Sequence, residues 1–106
     1  MLREARIIFP HIDKDGNILP ERIEYRFREW IIDKFGGCTV SYGDGYWRNP
    51  KNGKQYAETV SIVDIAAAPT LENMITLRDI ATTFCKAGNQ ECVYLRHLTG
   101  IVEFVS

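Results

Sequence analysis

The sequence predicts an α+β domain of ferredoxin-like type, with a four-stranded antiparallel sheet and two helices on one of its faces. Three observations predict it. The chain has 106 residues, 45% of them hydrophobic and 25% charged, which suits one globular domain with a real core. Two stretches place apolar residues at helical spacings of three and four. Four extended stretches surround them in the order β-α-β-β-α-β, an arrangement that closes into such a sandwich.

Ala5 to Phe9 (Ala-Arg-Ile-Ile-Phe) reads as the first strand, rich in β-branched and aromatic residues. Pro10 lacks an N–H for the ladder and belongs at the strand's end or on an edge. Asp13 to Asn17 (Asp-Lys-Asp-Gly-Asn) is a turn, because Asp and Asn bond their own backbone and Gly16 tolerates positive φ. A calcium loop is excluded there: glycine falls at the fourth position, and no glutamate stands at the twelfth. Pro20 suits the first turn of a helix. Ile23, Phe27, Trp30, Ile31 and Phe35 then form one apolar stripe, with Glu24, Arg26, Arg28, Glu29 and Asp33 on the solvated side. Gly36 and Gly37 stop the helix, one of them in the left-handed conformation.

Cys38 to Tyr42 and Tyr56 to Ile65 read as a hairpin around the polar loop 48–54. On the second of these strands Tyr56, Glu58, Val60 and Ile62 share one face, and that face is expected to pack on the helices. Glu58 would then point inward and need partners. Pro69-Thr70-Leu71 opens a second helix, with Thr70 as N-cap and Glu72 in the first turn. Leu71, Met74, Leu77 with Ile75, Ala81 and Phe84 with Cys85 are its expected buried stripe. Gly88-Asn89 ends it. Cys92 to Val105 reads as the last strand, interrupted by a bulge or turn at Thr99-Gly100. The second face of the sheet is left bare, and dimerisation or ligand binding is a common way to cover such a face.

Composition narrows the function. Thirteen basic against 14 acidic residues give a net charge of −1, which argues against general nucleic-acid binding but not against a local basic pocket. There is no apolar run long enough for a membrane span and no signal-peptide core after Met1 to Arg6, so a cytoplasmic location is expected. Cys38, Cys85 and Cys92 are odd in number and lack CxxC spacing, which suits reduced, buried thiols and no disulfide or zinc site. Two distant histidines, His11 and His97, make no metal site. No catalytic triad, P-loop or dinucleotide fingerprint occurs, and no cofactor is expected.

The candidate chemistry lies in two places. Tyr42, Tyr46, Trp47 and Arg48, spaced by Gly43 and Gly45, have the makings of a site for a planar, phosphate-bearing ligand: rings to stack a base and a guanidinium for phosphate. The competing reading makes Trp47 a plug at the end of the core, or a donor to Glu58. Glu58, a carboxylate among apolar residues, is the candidate ligand-binding or acid–base group. His97-Leu98-Thr99 matches the His-x-Thr pattern of two-histidine phosphoesterases, but the second copy is absent, since Ile12-Asp13 follows His11.

Phe35 to Val40 (Phe-Gly-Gly-Cys-Thr-Val), Gly45-Tyr46-Trp47 with Glu58 beyond the hairpin loop, and Gln90-Glu91-Cys92-Val93 together resemble a family of small bacterial and bacteriophage proteins without an established activity. The resemblance covers about two thirds of the chain. It implies the same β-α-β-β-α-β order and transfers no catalytic residue. Its phage members imply a host-directed accessory role, and analogy with other small phage proteins suggests capture of a nucleotide-like signal of host immunity. The expectation is therefore a non-enzymatic, homo-oligomeric module binding a nucleotide-like ligand through Tyr42, Tyr46, Trp47, Arg48 and Glu58. The alternatives are a small phosphodiesterase using His97, with Glu58 as a further candidate catalytic group, and a protein–protein adaptor using the open sheet face.

Overall fold

The computed structural model describes all residues, Met1–Ser106. Seven elements follow one another: β1 (Arg3–Pro10), α1 (Glu21–Phe35), β2 (Thr39–Arg48), β3 (Gln55–Ala67), α2 (Leu71–Ala87), β4 (Val93–Arg96) and β5 (Val102–Val105). The strands form one sheet in the order β2-β3-β1-β4-β5, and every neighbouring pair is antiparallel.

The architecture is α+β with two helices, as expected, but the sheet has five strands where four were expected. The segment read as one last strand turns back on itself. Gly100 adopts φ +91, its N–H donates to the His97 carbonyl, and the His97 N–H donates to the Ile101 carbonyl. That tight reversal makes a hairpin of β4 and β5.

The helices cover the face that carries Ala5, Ile7 and Phe9 of β1. These residues stand opposite Ile65, Val63 and Ser61 of β3, and all six are buried. The expected inward face of β3 is therefore reversed: Ser61, Val63, Ile65 and Ala67 face the helices, while Glu58, Val60 and Ile62 lie on the open side. The physical reason is length. β3 extends to Ala67, and the apolar residues at 63, 65 and 67 outweigh those at 60 and 62 in setting which face is buried.

In α1 the predicted stripe holds, with Phe27 and Ile31 buried and Ile23, Trp30 and Phe35 packed at the core's edge. Gly36 is its left-handed cap at φ +85, with its N–H bonded to the Ile32 carbonyl. In α2 the stripe is shifted by comparison with the sequence reading. Leu77, Ile80, Ala81, Phe84 and Cys85 are buried, while Leu71 and Ile75 face solvent. Phe9, Phe27 and Phe84 meet at the core's centre, the Phe27 and Phe84 rings edge to face at 5.2 Å. Cys85 is buried, Cys38 half-buried and Cys92 exposed; all three are free thiols. No helix is long and apolar enough to cross a membrane.

Candidate functional site

The β2–β3 hairpin outruns the rest of the sheet. β1 pairs with β3 only from Val60 to Ala67, so Gln55 to Thr59, with Asp44 to Arg48 opposite, project past it. The strand read from the sequence as ending at Tyr42 runs on through Arg48, so Tyr42 to Arg48 are all part of strand β2. Alternation therefore divides the expected cluster. Tyr42, Tyr46 and Arg48 lie on the side the helices occupy, opposite Ser61, Ala57 and Gln55. Trp47 and Glu58 lie on the open side, in register with Tyr56 and Gly45. The structure brings Trp47 and Glu58 to one face and separates them from the two tyrosines and the arginine.

On the open side, the Trp47 and Tyr56 rings stack at 4.6 Å between centroids and 16° between planes. Trp47 is 41% exposed, so it is no core plug, and it stacks on Tyr56 rather than donating to Glu58. Glu58 follows two residues after Tyr56 on the same face. Gly43 and Gly45 leave room beside it. A β-carbon on Gly45 would lie 3.3 Å from Val60 Cγ1 and 3.9 Å from Glu58 Cγ; one on Gly43 would lie 3.3 Å from Ile62 Cδ1. Burial pushes the Glu58 carboxyl above the usual glutamate range, with the His11 charge acting weakly against it. The result is a half-buried carboxylate beside a flat aromatic pair, over a lane of glycine.

Two segments close this end of the sheet. The His11 N–H donates to the Thr59 carbonyl, which carries the chain after β1 alongside Glu58's neighbour. Gln90 Nε2 donates to the Ile12 carbonyl at 3.0 Å, and Asn89 Nδ2 reaches the Asp13 and Asp15 carboxylates. Hydrogen bonds from the backbone and side chain of Asn17 and from the Asn89 amide hold the Asp13 carboxyl below its usual range. Gln90 thus fastens the 11–17 loop against the start of the last hairpin. Farther along the open face, Arg6 forks onto Asp64 with contacts of 2.7 and 3.1 Å, and Arg96 reaches Glu4 at 3.1 Å. Tyr94 and Phe104 meet edge to face at 5.9 Å, with Phe104 66% exposed.

On the helix side, sequence reasoning missed a second feature. His11, Glu24, Arg28 and Tyr42 line a cavity of about 350 Å³ where β1 ends and α1 begins. His11 Nε2 is hydrogen-bonded to Ser61 Oγ at 2.6 Å, and its ring meets Tyr42 edge-on at 6.1 Å. Nothing in the sequence signals this grouping, because its members come from three separate places: the segment after β1, α1 and β2. His97 lines a different, shallow hollow with Leu71, Met74, Ile75 and Arg78, its Nε2 3.8 Å from Glu103 Oε2. The two histidines therefore serve different hollows. No cluster of side chains suited to a metal ion is present.

These features define a small α+β protein with an open sheet face and a carboxylate–aromatic cluster at one end of it. The sequence matches no protein-family model and no curated protein. The fold is that of a phage SAM lyase solved in complex with S-methyl-5'-thioadenosine: TM-score 0.69 and 15% identity over 96% of this chain and 84% of that one. A phage SAM lyase in its apo state is similar as well, with TM-score 0.62 and 17% identity over 94% of this chain and 82% of the other. At these identities the likeness shows the fold.

Proposed function

We propose that this chain is a phage-type protein that binds S-adenosylmethionine on the open sheet face and cleaves it to S-methyl-5'-thioadenosine. The observation that carries the reading is the half-buried Glu58 carboxylate beside the Trp47–Tyr56 stack. The ligand class is supported by the fold shared with the lyase that holds the thioadenosine. S-adenosylmethionine combines a flat purine with a sulfonium cation. An aromatic face stacks the purine, and a carboxylate in a desolvated setting, with aromatic rings nearby, favours the cation. Cleavage breaks the carbon–sulfur bond to the amino-acid chain and leaves the electron pair on sulfur, so the sulfonium becomes a neutral thioether, while the substrate's own carboxylate closes on the released carbon to form a lactone. Removal of the metabolite by cleavage takes the place of the signal capture expected from the sequence. The expected homo-oligomer belongs to the same proposal, because the exposed Phe104, Trp47 and Tyr56 rings share the face that a second copy would cover.

Incubation of the protein with S-adenosylmethionine, followed by chromatography, tests the reading. Wild type should accumulate S-methyl-5'-thioadenosine, and Glu58→Gln should lower kcat/KM about ten-fold or more, chiefly through a higher KM, as expected for a carboxylate that holds the substrate's sulfonium. Intact S-adenosylmethionine after prolonged incubation with folded wild type would sink the lyase reading.

A further inference from the structure

The two edges of the sheet are built differently. β5, at one edge, has four residues; β2, at the other, has ten, with no proline, lysine or bulge to interrupt them. Natural sheets blunt long edges, because free N–H and C=O groups recruit another strand. Which groups are free follows from the ladder. The Asn49 N–H donates to the Lys54 carbonyl at the end of the β2–β3 pairing, and on the other side of β3 the Thr59 carbonyl accepts from His11. Bonding alternates along an antiparallel pair, so Gly43, Gly45 and Trp47 bond β3, while Val40, Tyr42, Asp44, Tyr46 and Arg48 direct their backbone groups outward. Tyr42 and Tyr46 are 66% and 68% exposed. Asp44 is exposed and enters none of the chain's ion pairs, and Arg48 reaches Gln55 at 3.4 Å.

We propose that β2 is a dimer interface, pairing antiparallel with β2 of a second copy about a two-fold axis at Tyr46. Such a pair sets residues equally far from the axis opposite each other, and its hydrogen bonds need outward-facing residues on both strands. Charge selects among the axes that meet this condition. An axis at Asp44 sets two aspartates together, and an axis at Gly45 sets Asp44 opposite a tyrosine. Only an axis at Tyr46 sets Asp44 opposite the partner's Arg48, and by symmetry Arg48 opposite the partner's Asp44. The next outward residue, Tyr42, meets the partner's Pro50, which has no N–H, so the pairing ends there. Asp44 to Arg48 lie on the part of the hairpin that projects past β1, which keeps the two bodies apart. The contact is edge to edge, so it is separate from a copy packed on the open face and independent of the proposed cleavage.

Sedimentation equilibrium and amide hydrogen exchange by NMR test the pairing. Wild type should be a dimer in which the Asp44, Tyr46 and Arg48 amides exchange slowly and the Val40 amide, outside the paired stretch, exchanges fast. Asp44→Arg and Arg48→Asp each set like charges across the axis and should weaken the dimer about ten-fold or more. The double variant Asp44→Arg/Arg48→Asp restores opposite charges in the same register and should recover the wild-type affinity. A monomer at millimolar protein, a dimer whose Asp44, Tyr46 and Arg48 amides exchange as fast as that of Val40, or a double variant no tighter than the single ones would each overturn the proposal. Fast exchange along β2 in a wild-type dimer would place the contact on the open face instead. The exchange measurement on wild type decides the matter even where a variant fails to fold.

Discussion

Glu58 stands where a carboxylate is least comfortable on the open face, and its discomfort is measurable. Its folded-state proton affinity is raised by burial, so the folded protein holds that proton more tightly than the unfolded chain does. A raised carboxylate pKa withdraws stability as pH climbs from the unfolded value through the folded one, and the penalty is complete above both. Glu58→Gln removes that penalty. The variant should therefore melt at a higher temperature than wild type at pH 7, with the difference disappearing near pH 3, as scanning calorimetry at the two pH values can show. Greater stability combined with weakened substrate binding is the pattern of a functional group held against its own solvation. A Glu58→Gln variant less stable than wild type at pH 7 would make Glu58 a structural residue. The sequence singled out Glu58 correctly as an unusual carboxylate but placed it inward, because the strand as read, Tyr56 to Ile65, does not reveal which face the longer strand buries. Gly45 supplies a second test at this scale. A valine there has to displace Val60, whose Cγ1 would lie 3.3 Å from the new β-carbon. Gly45→Val should cost about 1–3 kcal/mol in urea unfolding and narrow the lane beside Glu58.

At the scale of elements, local chemistry was most legible where it acts through the backbone. Thr70 caps α2, its Oγ1 accepting from the Asn73 N–H at 3.2 Å, and Gly36 ends α1 with positive φ; both were readable from residue type alone. Thr70→Ala should cost about 1 kcal/mol, seen as a lower urea midpoint at unchanged slope. No such cost is expected at the start of α1, where Pro20 occupies the cap and offers no side-chain bond. The α2 stripe was read less well. Leu71 and Ile75 fit the helical period but lie beyond the sheet's reach, while Ile80, buried completely, completes the stripe around Leu77 and Phe84. Periodicity gives a face and leaves its centre to tertiary packing. The division of Tyr42, Tyr46 and Arg48 from Trp47 has the same origin. Residues that are neighbours in sequence point to opposite faces once the segment is strand, and reading the strand as ending at Tyr42 hid that consequence.

For the molecule as a whole, composition and element order led to the right class of fold and stopped one strand short. The missing strand came from a reversal at Gly100 within a segment short enough to read as one interrupted strand. The helix-side cavity could not have been foreseen, because it is assembled from β1, the 18–20 segment, α1 and β2, with Phe84 of α2 at its wall. The open face, by contrast, was foreseen as uncovered, and it carries both the exposed aromatic residues and the carboxylate. The central claim is that this face, at the Trp47–Tyr56–Glu58 end, receives the adenosyl group. Its most direct test is a two-dimensional NMR titration of wild type with S-methyl-5'-thioadenosine. The indole N–H of Trp47 and the amides of Gly43 and Gly45 should shift saturably, while the indole of Trp30, on α1 at the core's edge, stays in place. An unmoved Trp47 signal at millimolar ligand, or shifts confined to the helix side, would contradict the account.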